Sequence, residues 1–206
     1  QRMAHTLGKL GYLEQGNGGF VPGRRLLERS FDYLRTNPLV GRSIPILTEL
    51  RRNVKERVDL SLFSDLSMLY LVRLQSKRDT FFAHLIGRRV PTFCTSGGRA
   101  VLAALPDEEV LDILARSDRR KLTPRTTTEI DEILEQVARV RDTGYSLAIE
   151  QVQIGELAVG VAVTDKQGVP IGAIHVAGSL SEWEPENFEK RVAPLVVAAA
   201  TAINSG

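Results

Sequence analysis

The chain has 206 residues, 43% hydrophobic and 25% charged, with a net charge of +2. That supports one good core, or one domain with a small appendage, of ordinary globular composition. The single cysteine, Cys94, excludes an intrachain disulfide; no apolar run approaches bilayer length, and the polar start at Gln1 has no signal-peptide core, so a cytoplasmic protein with no membrane partner is expected.

The charge is unevenly spread. Residues 1–57 hold 11 Lys/Arg against 5 Asp/Glu, and residues 58–206 hold 16 against 20. A basic end on a mildly acidic body fits a polyanion partner, and fits a solvated Arg-rich helical surface equally well.

In chain order, residues 1–10 place Met3, Leu7 and Leu10 on one helical face, and Gly11 ends that helix. Residues 12–14, the turn 16–19 and residues 20–21 read as a small hairpin. A helix plus a two-stranded wing is half of a winged helix-turn-helix, so the chain is expected to start inside such a domain. A connecting helix is expected over 23–36, with Leu26, Leu27, Phe31 and Leu34 on one side, and Asn37-Pro38 breaks it. Another helix runs through 45–54, starting near Val40, with Ile46, Leu47, Leu50 and Val54 inward.

Strands follow. Val58, Leu60 and Leu62 alternate with Asp59 and Ser61, and a second strand carries Leu69, Leu71 and Val72. A third, shorter strand is expected over 81–86. Pro106 and the acids 107–109 open a helix with the sign its N-terminus prefers. Thr126 and Glu129 form a capping-box pair for the next helix, which Gly144 suits as C-cap. Strands are expected over 145–150, 157–164 and 170–178, and Pro185 opens a last helix burying Phe188, Val192, Leu195, Val196 and Ala199. The body is therefore α+β, a hairpin-rich sheet with helices to one side.

The stretch 91–106, P-T-F-C-T-S-G-G-R-A-V-L-A-A-L-P, stands apart. A turn of small residues, Thr95 to Gly98, feeds straight into helix formers. Such a turn leaves backbone N–H groups open to a carboxylate or phosphate. The same residues also suit a tight loop packed on a sheet, where smallness serves sterics alone.

Signatures of catalysis and cofactor binding are missing: there is no G-x-S-x-G, H-E-x-x-H, P-loop or C-x-x-C, and no cofactor is expected. The alternative is an enzyme or metal protein built on Cys94, His84 and His175, although no ligand pair has close spacing. His175 sits in the apolar context A-I-H-V-A, where it is either hydrogen-bonded core or pocket lining.

Taken together the blocks resemble a family. G-Y-L at 11–13 with the wing to Gly23, the G…P…C-T-S-G-G-R-A-V-L-A-A-L-P run from Gly87 to Pro106, T-P-R-T at 123–126, R-D-T-G-Y at 141–145 and E-Q-V-Q-I-G at 150–155 occur in order. They are similar to those of the IclR-type bacterial transcription regulators, and Cys94-Thr95-Ser96 is most similar to the branch controlling aromatic-acid catabolism.

The resemblance implies the C-terminal part of a winged helix-turn-helix DNA-binding domain at 1–22, a linker helix at 23–37 and a GAF-like effector-binding domain at 38–206. It implies a homodimer or tetramer on operator DNA, contacted here by Gln1, Arg2 and His5. It also implies a small-molecule effector, an organic or aromatic acid. Carried over by position, the loop contacts are Thr95, Ser96 and Gly97, and the apolar wall includes Phe82 and Val90. The strand positions are Ala148, Ala158, His175 and Ala177. Three of those four are alanine, which implies a wider, more apolar pocket with His175 as its polar group. Arg99 is expected to hold the loop by a salt bridge.

Overall fold

A computed structural model describes residues 2–76 and 86–206. The chain divides into two compact units, residues 1–42 and 43–206. The strand expected over 81–86 lies, but for Ile86, outside the described residues.

In the first unit, α1 (Arg2–Lys9) is followed by β1 (Leu13–Gly16) and β2 (Gly19–Pro22), an antiparallel hairpin in register from Leu13↔Pro22 to Gly16↔Gly19. The helix α2 (Arg24–Thr36) comes next. Neither helix has a buried residue: Met3, Leu27 and Phe31 are exposed. The apolar faces read from the sequence exist, but the described residues leave them uncovered. The next helix, α3 (Pro38–Val54), is bonded at its start by Asn37, whose side-chain oxygen accepts from Leu39 N at 2.9 Å. It buries Leu47, Leu50 and Val54, as the periodicity demands.

The second unit is built on an antiparallel sheet. Its strands are β3 (Arg57–Ser64), β4 (Ser67–Leu74), β5 (Arg89–Pro91), β6 (Ser146–Ile149), β7 (Glu156–Thr164) and β8 (Pro170–Ser179), in the order β5-β4-β3-β8-β7-β6 among the described residues. The short β5 was not expected. Its proline is tolerated because it ends an edge strand, where no ladder donor is missed.

The sheet is covered on both faces, and the two faces differ in chemistry. Val58, Leu60, Ile174, Val176, Leu157 and Val159 alternate onto one face. Against it packs α7 (Pro185–Asn204), through Phe188, Val192, Val196 and Ala200. Leu195, expected inside, is only half-buried, and Ala193 and Ile203 fill the face instead. The other face carries Asp59, Ser61, Ala173, His175, Ala158 and Gly160. It takes the short helix α4 (Ser96–Ala103), backed by α5 (Asp107–Arg116) and α6 (Ile130–Thr143). A second apolar cluster, with Met68, Phe93, Leu102, Ile113, Leu114 and Ile133, lies among these helices.

Two local expectations fail or hold for clear reasons. Gly144 does cap α6, in the left-handed conformation at φ 82°. The capping box does not form: α6 starts at Ile130 behind Glu129, with no side-chain cap. Thr126 is used elsewhere. Its hydroxyl accepts from Leu122 N and Thr123 N at 3.1 and 2.9 Å, and donates to Gln151 O at 2.6 Å, tying two loops together.

The approach of α4 to the sheet is set by glycine. A Cβ on Gly160 would fall 2.6 Å from Ser96 C and 2.7 Å from Gly97 N, both backbone atoms. Gly160→Ala must therefore push the helix off the strand. The expected loss is about 3 kcal/mol of folding stability, read as a lower urea midpoint at unchanged m-value; a loss below about 0.5 kcal/mol would show that α4 retreats without strain.

Candidate functional site

The second face of the sheet gathers charge where water does not reach. Asp59, on β3, is fully buried. Two guanidinium groups neutralise it: Arg57 Nε donates to Oδ2 at 3.0 Å, and Arg73 donates through Nε to Oδ1 at 2.8 Å and through Nη2 to Oδ2 at 3.2 Å. Arg57 reaches the other way as well, to Glu156 on β7, at 2.8 Å. Burial opposes the Arg57 charge, but Asp59 and Glu156 outweigh it and hold its pKa above the usual value.

A register shift between Leu60 and Ser61 adds Tyr70 to this cluster. Asp59 lies opposite Arg73, yet Ser61 lies opposite Tyr70 rather than Leu71. Residues three apart on a regular strand face opposite sides. The extra residue at the bulge brings Tyr70 round to the face of Arg73. The Arg73 guanidinium then sits 4.7 Å from the Tyr70 ring centroid, and Tyr70 lies 5.3 Å from the His175 ring. Burial first, and the Asp59 charge next, push the Tyr70 phenol up, so it stays protonated.

His175, on β8, is paired across the ladder with Asp59. Its Nε2 shares a hydrogen bond with Ser61 Oγ at 3.2 Å, and Nδ1 stands 4.0 Å from Asp59 Oδ2. That distance is too long for a hydrogen bond, and the ring is neutral: burial lowers its pKa to about 4, with Asp59 pulling the other way. His175 is therefore a satisfied polar group facing a cavity.

The cavity is a recess of about 40 Å³ lined by Tyr70, Thr95, Ser96, Ala158 and His175, with Arg57 and Glu156 at its border. Beyond Arg57, Gln153 and Glu156, which line both, lies a larger cavity of about 460 Å³ that also includes Ala177 and Trp183. The Arg57–Glu156 ion pair thus stands between an inner recess with room for a few waters and an outer space of ordinary ligand size.

Of the residues singled out from the sequence, Thr95, Ser96, Ala158 and His175 come together at the inner recess, and Ala148 joins them. Ala177 lines the outer cavity. Val90 is elsewhere, buried with Met68 and Phe93. Gly97 is packed on the sheet: a Cβ there would meet Ala173 Cβ at 3.1 Å and the His175 ring at 3.5 Å. Phe82, His84 and Gln1 lie outside the described residues. Arg2 and His5 are exposed on α1, far along the chain from this site.

The small-residue turn is not an open anion cradle. Thr95 Oγ1 takes the Gly98 N–H at 3.0 Å, Gly98 is pressed on Thr92 O, and Gly97 N abuts Gly160. Among the described residues Arg99 forms no salt bridge; it donates to Phe93 O at 3.2 Å and Gln151 Oε1 at 2.7 Å. Cys94 is fully covered, and burial pushes its thiol up to about 12. Such a thiol is not a nucleophile at neutral pH, and no cluster of three or more metal-ligating side chains exists among the described residues.

Sequence reasoning missed Arg57, Tyr70, Arg73, Gln151 and Gln153. A signal for Arg57 and Arg73 was present: a carboxylate inside V-D-L-S-L demands a cation if the strand is covered on both faces.

The His175 pKa has a consequence for stability. Its folded value, about 4, lies below the usual 6.5. The unfolded chain therefore takes up the proton first, so stability holds above pH 6.5 and falls as the pH drops toward 4. The expected loss is roughly 3 kcal/mol, and His175→Gln should flatten that window in denaturant titrations from pH 7 to 4. An equally steep variant would assign the loss to other groups.

Comparison with known proteins completes the picture. Residues 31–205 match the family model described as bacterial transcriptional regulator IclR C-terminal. The chain is 26% identical over 201 residues to the Pca regulon regulatory protein of Pseudomonas putida, covering 97% of this chain and 69% of that protein. It is 25% identical over 210 residues to the p-hydroxybenzoate hydroxylase transcriptional activator of Acinetobacter baylyi, covering 100% of this chain and 78% of the relative. Among solved structures, an IclR family transcriptional regulator from Brucella abortus superposes with a TM-score of 0.81 at 27% identity, over 99% of this chain and 77% of that one. A sheet with one charge-lined face under a small-residue helix, together with a family match over most of the length, leads to one conclusion: the chain belongs to the IclR family of bacterial transcriptional regulators.

Proposed function

We propose that the protein is an effector-responsive, DNA-binding transcriptional regulator working in the cytoplasm, and not an enzyme. Residues 1–22 are read as the C-terminal part of a winged helix-turn-helix, residues 23–37 as a linker helix and residues 38–206 as the effector-binding domain. Arg2 and His5, both exposed on α1, are placed toward operator DNA, with Gln1 beside them. The exposed apolar side of α2, with Leu27 and Phe31, supports a homodimer or a tetramer, because a stripe of that kind is normally covered by a second helix.

The observation that carries the effector reading is the Arg57–Glu156 ion pair standing between the inner recess and the outer cavity. The walls beside it, Ala158, Ala177 and the Tyr70 ring, are apolar or flat. A small acid with an aromatic body fits: its ring lies on the alanines, and its carboxylate takes the place of Glu156 on Arg57. The names of two relatives, a Pca regulon regulator and a p-hydroxybenzoate hydroxylase activator, support the aromatic class. Exchanging one carboxylate for another on Arg57 frees Glu156 and its strand, and the acid then favours one protein geometry over another. Operator affinity changes by that difference in binding free energy.

Thermal melts with benzoate, 4-hydroxybenzoate and short aliphatic acids test this. At a hundred times its Kd an acid should stabilise the protein by about 2.7 kcal/mol. Ala158→Leu, which fills the recess, should abolish the shift while the unliganded melt is retained. Gly97→Val is a poor probe, because valine there strains the packing on Ala173. A flat response across the acids, with no acid-dependent change in operator retention on a gel, would refute the reading.

A further inference from the structure

Away from this site lies a covered cation with no counter-charge among the described residues. Arg99, on α4, is 2% exposed. Its Nε and Nη2 are bonded to Phe93 O and Gln151 Oε1, both neutral, and Nη1 makes no hydrogen bond to a described residue. No described carboxylate lies within salt-bridge range of it, whereas buried Arg73 and half-buried Arg57 both have Asp59. Buried charges are normally paired, because an unpaired one gives up its hydration for nothing.

The Arg99 guanidinium faces a cavity of about 380 Å³, bounded by α6 and by the edge strand β6. Gln136 and Arg139 also line it. They are three residues apart on α6 and so share a face. Arg139 is close enough that its charge, after burial, helps to lower the Arg99 pKa, which stays near 10 and leaves the group charged at neutral pH. Gln136 donates from Nε2 to Thr127 Oγ1 at 3.3 Å, but its Oε1 is buried and has no partner. The acid on the cavity wall, Glu189, is already bonded by the Tyr145 hydroxyl at 2.7 Å.

We propose that this cavity is a second binding site, for a small oxyanion that carries a hydroxyl group, of the α-hydroxy carboxylate type. The carboxylate bonds Arg99 Nη1 and Arg139, and the hydroxyl satisfies Gln136. The site is separate from the recess beside His175 and does not depend on what that recess holds. The two share one lining side chain, Gln151, the partner of Arg99 Nη2.

The test is calorimetric titration of the whole chain with lactate, with propionate, and with inorganic phosphate as the other common hydroxyl-bearing oxyanion. Lactate should bind in a saturable way and propionate about fivefold more weakly. Arg139→Ala, on the exposed side of α6, should weaken lactate about fivefold. Gln136→Leu should erase the difference between lactate and propionate. Phosphate binding with the same losses in both variants would support the site with phosphate as its source. Ala158→Leu should leave these affinities unchanged. The proposal is overturned if neither lactate nor phosphate saturates in the millimolar range, if both α6 variants bind as the parent does, or if Ala158→Leu removes binding.

Discussion

A carboxylate shut away from water governs this sheet. Leaving Asp59 unpaired would cost several kcal/mol, and the strands around it are arranged to prevent that. Arg73 comes from β4 and Arg57 from the start of β3, each at hydrogen-bond distance. Once Asp59 has consumed one edge of Arg57, the other edge reaches across to Glu156 on β7. The neutrality of His175 and the protonated phenol of Tyr70 follow from the same burial. Two cations balance two anions in this cluster, so under the proposed function an incoming acid would have to displace an internal carboxylate from Arg57.

Small side chains do a different job. Gly160 admits the backbone of α4, Gly98 rests on Thr92, and Gly97 lies on Ala173. With helix and sheet in backbone contact, little free volume remains between them. What space there is collects at the border, where Thr95 and Ser96 meet Ala158 and His175. The recess is narrow because the helix is close, and its polarity comes from the strands and not from the helix end.

Much of this was legible from residue order alone. The α+β class, the hairpin of β1 and β2, α5 with its acidic first turn, the Gly144 cap and the strands β3, β4, β6, β7 and β8 follow from periodicity and turn chemistry. The alternation V-D-L-S-L marked a strand correctly, but alternation alone suggests a wet polar face. Here that face is covered by α4, and Asp59 and Ser61 are interior. Periodicity reports which residues share a side, not what lies against that side. Thr95, Ser96, Ala148, Ala158 and His175, named through the family resemblance, line one recess. The arginines were not named, although a covered Asp59 demands a cation; Tyr70 was missed because its facing depends on a bulge that no local rule places. Thr126 misled for a similar reason: a hydroxyl near a helix start serves whichever backbone most lacks donors, and here that was the loop at Gln151.

Cys94 has a practical consequence. Its sulfur is wholly enclosed, and the proton on it is held to about pH 12. A chain with one such sulfur carries its own clock: a thiol-reactive dye can attach only while the segment beneath α4 is transiently apart, so labelling speed measures how often the sensor half breathes.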